Sequence, residues 1–147
     1  MNKLEYKILL ADDDEDDRAF FKEALDELLI PVNLTTVNDG VELMDYLSQS
    51  NNLPDILFLD LNMPRKSGFE CLTEIKKIDK LKHLAVIIFS TSLDLKIIDV
   101  MYENGARYYV QKPGDFYKLK KVIERAITLS STTNSQQPKR NDFILQP

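Results

Sequence analysis

The chain has 147 residues, 44% hydrophobic and 29% charged, with a formal net charge of -5, which suits one globular domain with a proper core. That acidic balance excludes a nucleic-acid face built of clustered Lys and Arg, and the apolar runs are far too short to span a bilayer. A single cysteine, Cys71, excludes an internal disulfide and fits a reducing cytoplasm.

The opening MNKLEYK lacks the apolar stretch of a signal peptide, again pointing to the cytoplasm. Lys7–Ala11 reads as a first strand, followed by six consecutive acids, Asp12 to Asp17. Phe20, Phe21, Ala24, Leu25, Leu28 and Leu29 then fall on one helical stripe, ended by Pro31. Asn33–Val37 is a second strand, and Asp39 caps a helix carrying Val41, Met44 and Leu47. Asp55–Leu59 is the third, leading to a helix with Phe69, Leu72, Ile75 and Ile78. Ala85–Phe89 is the fourth; its helix carries Leu93, Ile97, Val100 and Met101 and stops at Asn104-Gly105. Arg107–Val110 is the fifth, and Asp115 opens a helix with Phe116, Leu119, Val122, Ile123, Ala126 and Ile127.

The runs ILL, ILFL and VIIF are almost continuously apolar, the pattern of strands covered on both faces. Strand and helix alternate five times, which predicts an α/β fold with a doubly wound parallel sheet. That domain is expected to occupy residues 1–129. The polar SSTTNSQQPKRNDFILQP that follows has no stripe, so 130–147 reads as a disordered tail with Phe143-Ile144-Leu145 as a loose apolar end.

In such a sheet, ligands bind beyond the carboxyl ends of the strands, near the reversal of strand order. Those ends carry Asp12-Asp13-Asp14, Asn38-Asp39-Gly40, Asp60, Ser90-Thr91-Ser92 and Lys112-Pro113. Turn and cap chemistry explains the second. Asp60, leaving a buried strand, is partly desolvated, and Asp12 and Asp13 at a neighbouring tip add repulsion. A divalent cation relieves that strain, and oxygen-only ligands with retained waters suit Mg²⁺. Lys112 across the cleft balances the remaining charge, and with Ser90 it can hold phosphoryl oxygens. A carboxylate can also attack phosphorus to give an aspartyl phosphate. Asp14, Glu15, Asp16 and Asp17 read instead as the solvated, dipole-favoured start of the first helix. His83, in a polar stretch, reads as a surface residue, and Cys71 as a small buried side chain.

The segments ILLADDD, LFLDLNMPRKSG, IIFSTS and GARYYVQKP together resemble the receiver domain of two-component response regulators, over roughly Lys7 to Leu129. The triple Asp also resembles the stand-alone receivers that partner phytochrome-type histidine kinases. The resemblance implies a flavodoxin-like five-stranded sheet of order 2-1-3-4-5 with five helices. It implies that Asp60 takes a phosphoryl group from a histidine kinase or histidine phosphotransfer protein. It further implies that Asp13 binds Mg²⁺ directly and Asp12 through water, with Asp60 and the backbone carbonyl of Asn62 completing the protein ligands. Ser90 would contact the phosphoryl oxygens, Tyr109 would reorient with it, Lys112 would pair with the phosphoryl group, and the Lys112–Pro113 peptide would be cis. The chain departs from the family pattern in having Ser90 where Thr is commoner and Gly114 where an aromatic is usual.

Two other classes fit less well. A phosphatase of the haloacid-dehalogenase type needs a second Asp two positions after the nucleophile, where this chain has Asn62. A nucleotide-binding module needs a Gly-rich loop after the first strand, where acids stand instead. With no DNA-binding or enzymatic pattern after Leu129, the expected output is a protein contact or onward relay. A homodimer through the fourth helix, fifth strand and fifth helix, near Tyr102 and Tyr108, is one such contact.

Overall fold

A computed structural model describes residues 5–49, 51–132 and 136–147. Strands β1 (Tyr6–Ala11), β2 (Val32–Val37), β3 (Ile56–Leu59), β4 (Ala85–Ser90) and β5 (Tyr108–Gln111) alternate with helices α1 (Glu15–Asp26), α2 (Gly40–Gln49), α3 (Gly68–Lys77), α4 (Leu95–Glu103) and α5 (Phe116–Thr132). A short β6 (Ile144–Leu145) completes a parallel sheet of order β2-β1-β3-β4-β5-β6. The expected order 2-1-3-4-5 is present, extended by one strand.

Every residue of β3 and β4 is buried, as their unbroken apolar runs require. Alternate strand residues divide between two cores. Leu9, Leu57, Val86 and Ile88 face α2, α3 and α4; Ile8, Phe58, Ile87 and Phe89 face α1 and α5. Strand β2, at the sheet edge, exposes Asn33 and Thr36. Polar caps set the helix starts: Asp14 accepts from Asp17 N, Asp39 from Glu42 N, Ser67 from Glu70 N and Asp115 from Lys118 N. Gly105, with φ of 91°, turns the chain out of α4. None of the described helices is long and apolar enough to cross a membrane.

Three expectations need correction. Helix α1 ends at Asp26, short of Pro31, so Leu29 lies beyond it and is 99% exposed. The buried stripe of α4 is Ile98 and Met101 rather than Leu93 and Val100. Asp94 caps this helix through Lys96 N, which leaves Leu93 in the preceding loop and turns Val100 outward. The third concerns the tail expected to be disordered over 130–147: residues 130–132 continue α5, 133–135 lie outside the described residues, and 136–147 lie folded against the sheet. Tyr109 N donates to Phe143 O at 3.0 Å, and the fully buried Phe143 ring packs edge-on against Tyr102 at 5.0 Å. Gln137 Nε2 donates to the carbonyls of Tyr102 and Ala106, and Arg140 pairs with Asp99 at 2.7 Å. The open edge of β5 supplies backbone groups that need partners, and Phe143 and Leu145 add buried apolar surface to an otherwise polar segment.

Candidate functional site

The carboxyl ends of β1 and β3 lie side by side where the chain order reverses. Asp60 N donates to Ala11 O at 2.9 Å and Asp12 N to Val37 O at 3.1 Å, which locks both tips in place. Carboxylate oxygens of Asp12, Asp13 and Asp60 all lie within 4.8 Å of one another. Asp12 is fully buried, Asp60 is 6% exposed, and Asp13 opens to solvent. Gly68 lies directly over the Asp60 backbone, where a Cβ would collide with Asp60 O, so only glycine lets the loop after β3 fold back this tightly.

Lys112 follows β5 and is held by its own backbone, which donates to Ser90 O at 2.7 Å. Its Nζ lies 2.8 Å from Asp12 Oδ2, 2.9 Å from Asp17 Oδ2 and 3.6 Å from Asp60 Oδ2. The ammonium also sits 5.5 Å from the Phe89 ring centre, which shields it from water. Ser90, at the end of β4, is buried, and its Oγ accepts from Ser92 N at 3.2 Å. Tyr109 is buried beneath that loop, and its hydroxyl donates to Ser92 O at 2.7 Å. Asn62 is exposed in the loop after β3, and its backbone N–H hydrogen-bonds the Asp60 carboxylate.

The electrostatics follow from this crowding. Burial pushes Asp60 up to about 6; Lys112 and the Asn62 N–H oppose the rise, and the charges of Asp12 and Asp13 add to it. Burial alone would lower Lys112, but the carboxylates of Asp12 and Asp17 beside its ammonium outweigh this and hold it above the ordinary lysine range. Burial raises Tyr109 as well, against its hydrogen bonds to Ser90 and Ser92. Cys71 is buried, and that burial pushes its thiol up to about 12, which disfavours the thiolate that a nucleophile needs.

The donor set fits a hard divalent cation. Asp12 Oδ2 is buried and, although it approaches Lys112 Nζ, the two are not aligned as a hydrogen bond. That leaves an inward-facing oxygen without a donor, beside two more carboxylates, in a site of oxygen ligands only.

Asp12, Asp13, Asp60 and Lys112 thus come together as expected. Ser90 and Tyr109 stand on the adjoining β4 and β5 tips, bonded to the Ser92 turn. The expected cis peptide at Lys112–Pro113 is not found: no cis bond occurs among the described residues. The trans form is the intrinsically preferred one for an X–Pro bond. Asp17, assigned by sequence to a solvated helix start, instead reaches into the site and holds Lys112. Nothing local distinguished it from its acidic neighbours, since its partner lies 95 residues away.

A family model for the response regulator receiver domain matches residues 8–124. The chain is a response regulator receiver domain. It is 31% identical over 122 residues to the response regulator Rcp1 of Synechocystis sp., a match covering 80% of this chain and 83% of that protein. The crystal structure of the phosphorylated cyanobacterial phytochrome response regulator RcpA superposes with a TM-score of 0.81 at 32% identity, covering 88% of this chain and 96% of that one. The Mn²⁺-bound form of response regulator Rcp1 superposes with a TM-score of 0.77 at 29% identity, covering 90% of this receiver and 99% of that chain. This receiver is therefore a signalling phosphoacceptor of two-component systems, a class that histidine kinases phosphorylate. Its acidic pocket of Asp12, Asp13 and Asp60 is the place where receivers bind a divalent metal.

Proposed function

We propose that this receiver accepts a phosphoryl group on Asp60 in a Mg²⁺-dependent reaction and acts as a single-domain response regulator. The observation that carries this reading is the buried Asp60 carboxylate facing two further acids and the Lys112 ammonium. Asp12, Asp13, Asp60 and the backbone carbonyl of Asn62 would hold the Mg²⁺. When bound, Mg²⁺ offsets carboxylate repulsion and neutralises charge on the transferring group. The Mn²⁺-bound Rcp1 structure supports a divalent ion of this kind in a similar protein.

A carboxylate oxygen of Asp60 attacks the phosphorus of a phosphohistidine on a histidine kinase or histidine phosphotransfer protein. The new O–P bond forms as the N–P bond breaks, and its electron pair returns to the imidazole nitrogen. Lys112 donates toward the phosphoryl oxygens, and the Ser90 hydroxyl supplies a further donor from the β4 tip. Hydrolysis of the aspartyl phosphate in the same site resets the protein. Ser90 and Tyr109 share the Ser92 turn, so a new anion drawing Ser90 inward gives Tyr109 reason to reorient with it.

The output of this switch is a protein contact or onward relay. A homodimer through α4, β5 and α5 would have to include or displace β6, which pairs with β5 on that side. Because the phosphoryl group comes from kinase-bound ATP, this reading places the receiver in the cytoplasm. Intact mass after incubation with Mg²⁺ and acetyl phosphate tests the reading. Wild type should gain one phosphoryl group and Asp60→Asn none; equal labelling of both contradicts it.

A further inference from the structure

The contact between Asp17 and Lys112 has no place in the roles assigned so far. Among the described residues Lys112 carries the one ammonium beside the crowded carboxylates, and only 10% of its side chain is exposed. Of its three near acids, Asp17 makes the aligned hydrogen bond, at 2.9 Å; Asp12 is close but misaligned, and Asp60 lies at 3.6 Å. Asp17 can do this because the cap of α1 fixes it. Asp14 Oδ1 accepts Asp17 N at 3.1 Å, which leaves the Asp17 side chain free to cross to the β5 tip.

We propose that Asp17 is a positioning residue for phosphoryl transfer, holding Lys112 Nζ at the rim so that its remaining N–H bonds face Asp60 and the incoming phosphoryl oxygens. A lysine side chain loses substantial rotamer entropy when one geometry is imposed on it. Asp17 meets that cost before the donor arrives, in the folded resting state. With one N–H held by Asp17, the ammonium still has donors for Asp12 and for a phosphoryl oxygen. The arrangement also ties the first turn of α1 to the segment after β5, so the two walls of the crevice share one ion pair.

The inference rests on Asp60 being the phosphoacceptor, and the test keeps the two apart. Labelling of the full chain by acetyl phosphate at saturating Mg²⁺ is followed by intact mass for wild type, Asp17→Ala, Asp17→Asn, Lys112→Ala and the double variant Asp17→Ala/Lys112→Ala. The Asp17 side chain is 39% exposed and its backbone, not its carboxylate, serves the helix cap, so the Asp17 substitutions keep the fold. Asp17→Ala should label roughly tenfold more slowly than wild type. Asp17→Asn should recover most of that loss, because an amide oxygen still accepts from Lys112. In the Lys112→Ala background, Asp17→Ala should cost nothing further. A wild-type or faster rate for Asp17→Ala, an Asn variant as slow as Ala, or an additive double variant would each overturn the proposal. Failure of wild type itself to label would instead overturn the phosphoacceptor reading.

Discussion

The crevice between β1 and β3 and the outer edge of β5 belong to one sheet but are stabilised in opposite ways. The crevice gathers Asp12, Asp13, Asp60 and Lys112 where water is scarce, so charge is held under tension. The β5 edge gathers Tyr102, Tyr109 and Phe143, aromatic rings whose burial alone is favourable. The candidate site thus lies where the fold is electrostatically strained, and stability is added where it is not. Changes in the crevice should alter chemistry more than stability, and changes at the edge should do the reverse.

The largest contrast is expected from Lys112→Ala. Losing a preorganised donor to the phosphoryl group should slow labelling by about 10²-fold. The same change should tighten Mg²⁺ binding, because a cation leaves an acidic pocket; titration of the apo protein with Mg²⁺ checks the sign. Weaker Mg²⁺ binding would mean that Lys112 builds the pocket rather than balances it.

Next in size is Phe143→Ala. Emptying the space of a fully buried ring should cost about 3–5 kcal/mol in denaturant unfolding. Affinity for Mg²⁺ should stay within about twofold of wild type, since no Phe143 contact reaches the acids and the difference is small on the free-energy scale. An unchanged midpoint would show that residues 136–147 add nothing to the fold.

The smallest effect has the least intuitive sign. Without metal, Asp60→Asn should stabilise the protein at pH 7 by about 3 kcal/mol. Burial raises Asp60 from 3.8 to about 6, so the fold disfavours its charged form. Its contribution is therefore fully favourable below the unfolded value and is lost as pH rises through about 6. The gap between variant and wild type in chemical denaturation should accordingly close at low pH and open toward neutrality. A variant less stable than wild type at pH 7 in chelator would contradict the strained-crevice picture.

The same contrast explains what could be read from the sequence. The five strands and their helices were legible because covered strands need unbroken apolar runs such as ILFL and VIIF. The site was legible because a desolvated Asp60 makes little physical sense without a cation and a counter-charge nearby. Asp17 was hidden by its resemblance to Asp14, Glu15 and Asp16; only the fold shows which acid turns inward. The phase of α4 depended on whether Asp94 or an earlier residue caps it, a choice that apolar spacing does not make. Strand β6 was hidden because two residues have no period, and its stability comes from an edge formed elsewhere in the chain.

Borohydride reduction gives the most direct test that Asp60 carries the phosphoryl group. After labelling with acetyl phosphate and Mg²⁺, reduction converts an aspartyl phosphate to homoserine, which peptide mass mapping locates. The account predicts homoserine at position 60 and at none of positions 12, 13 or 17. Homoserine at any of those three, with Asp60 intact, would contradict it.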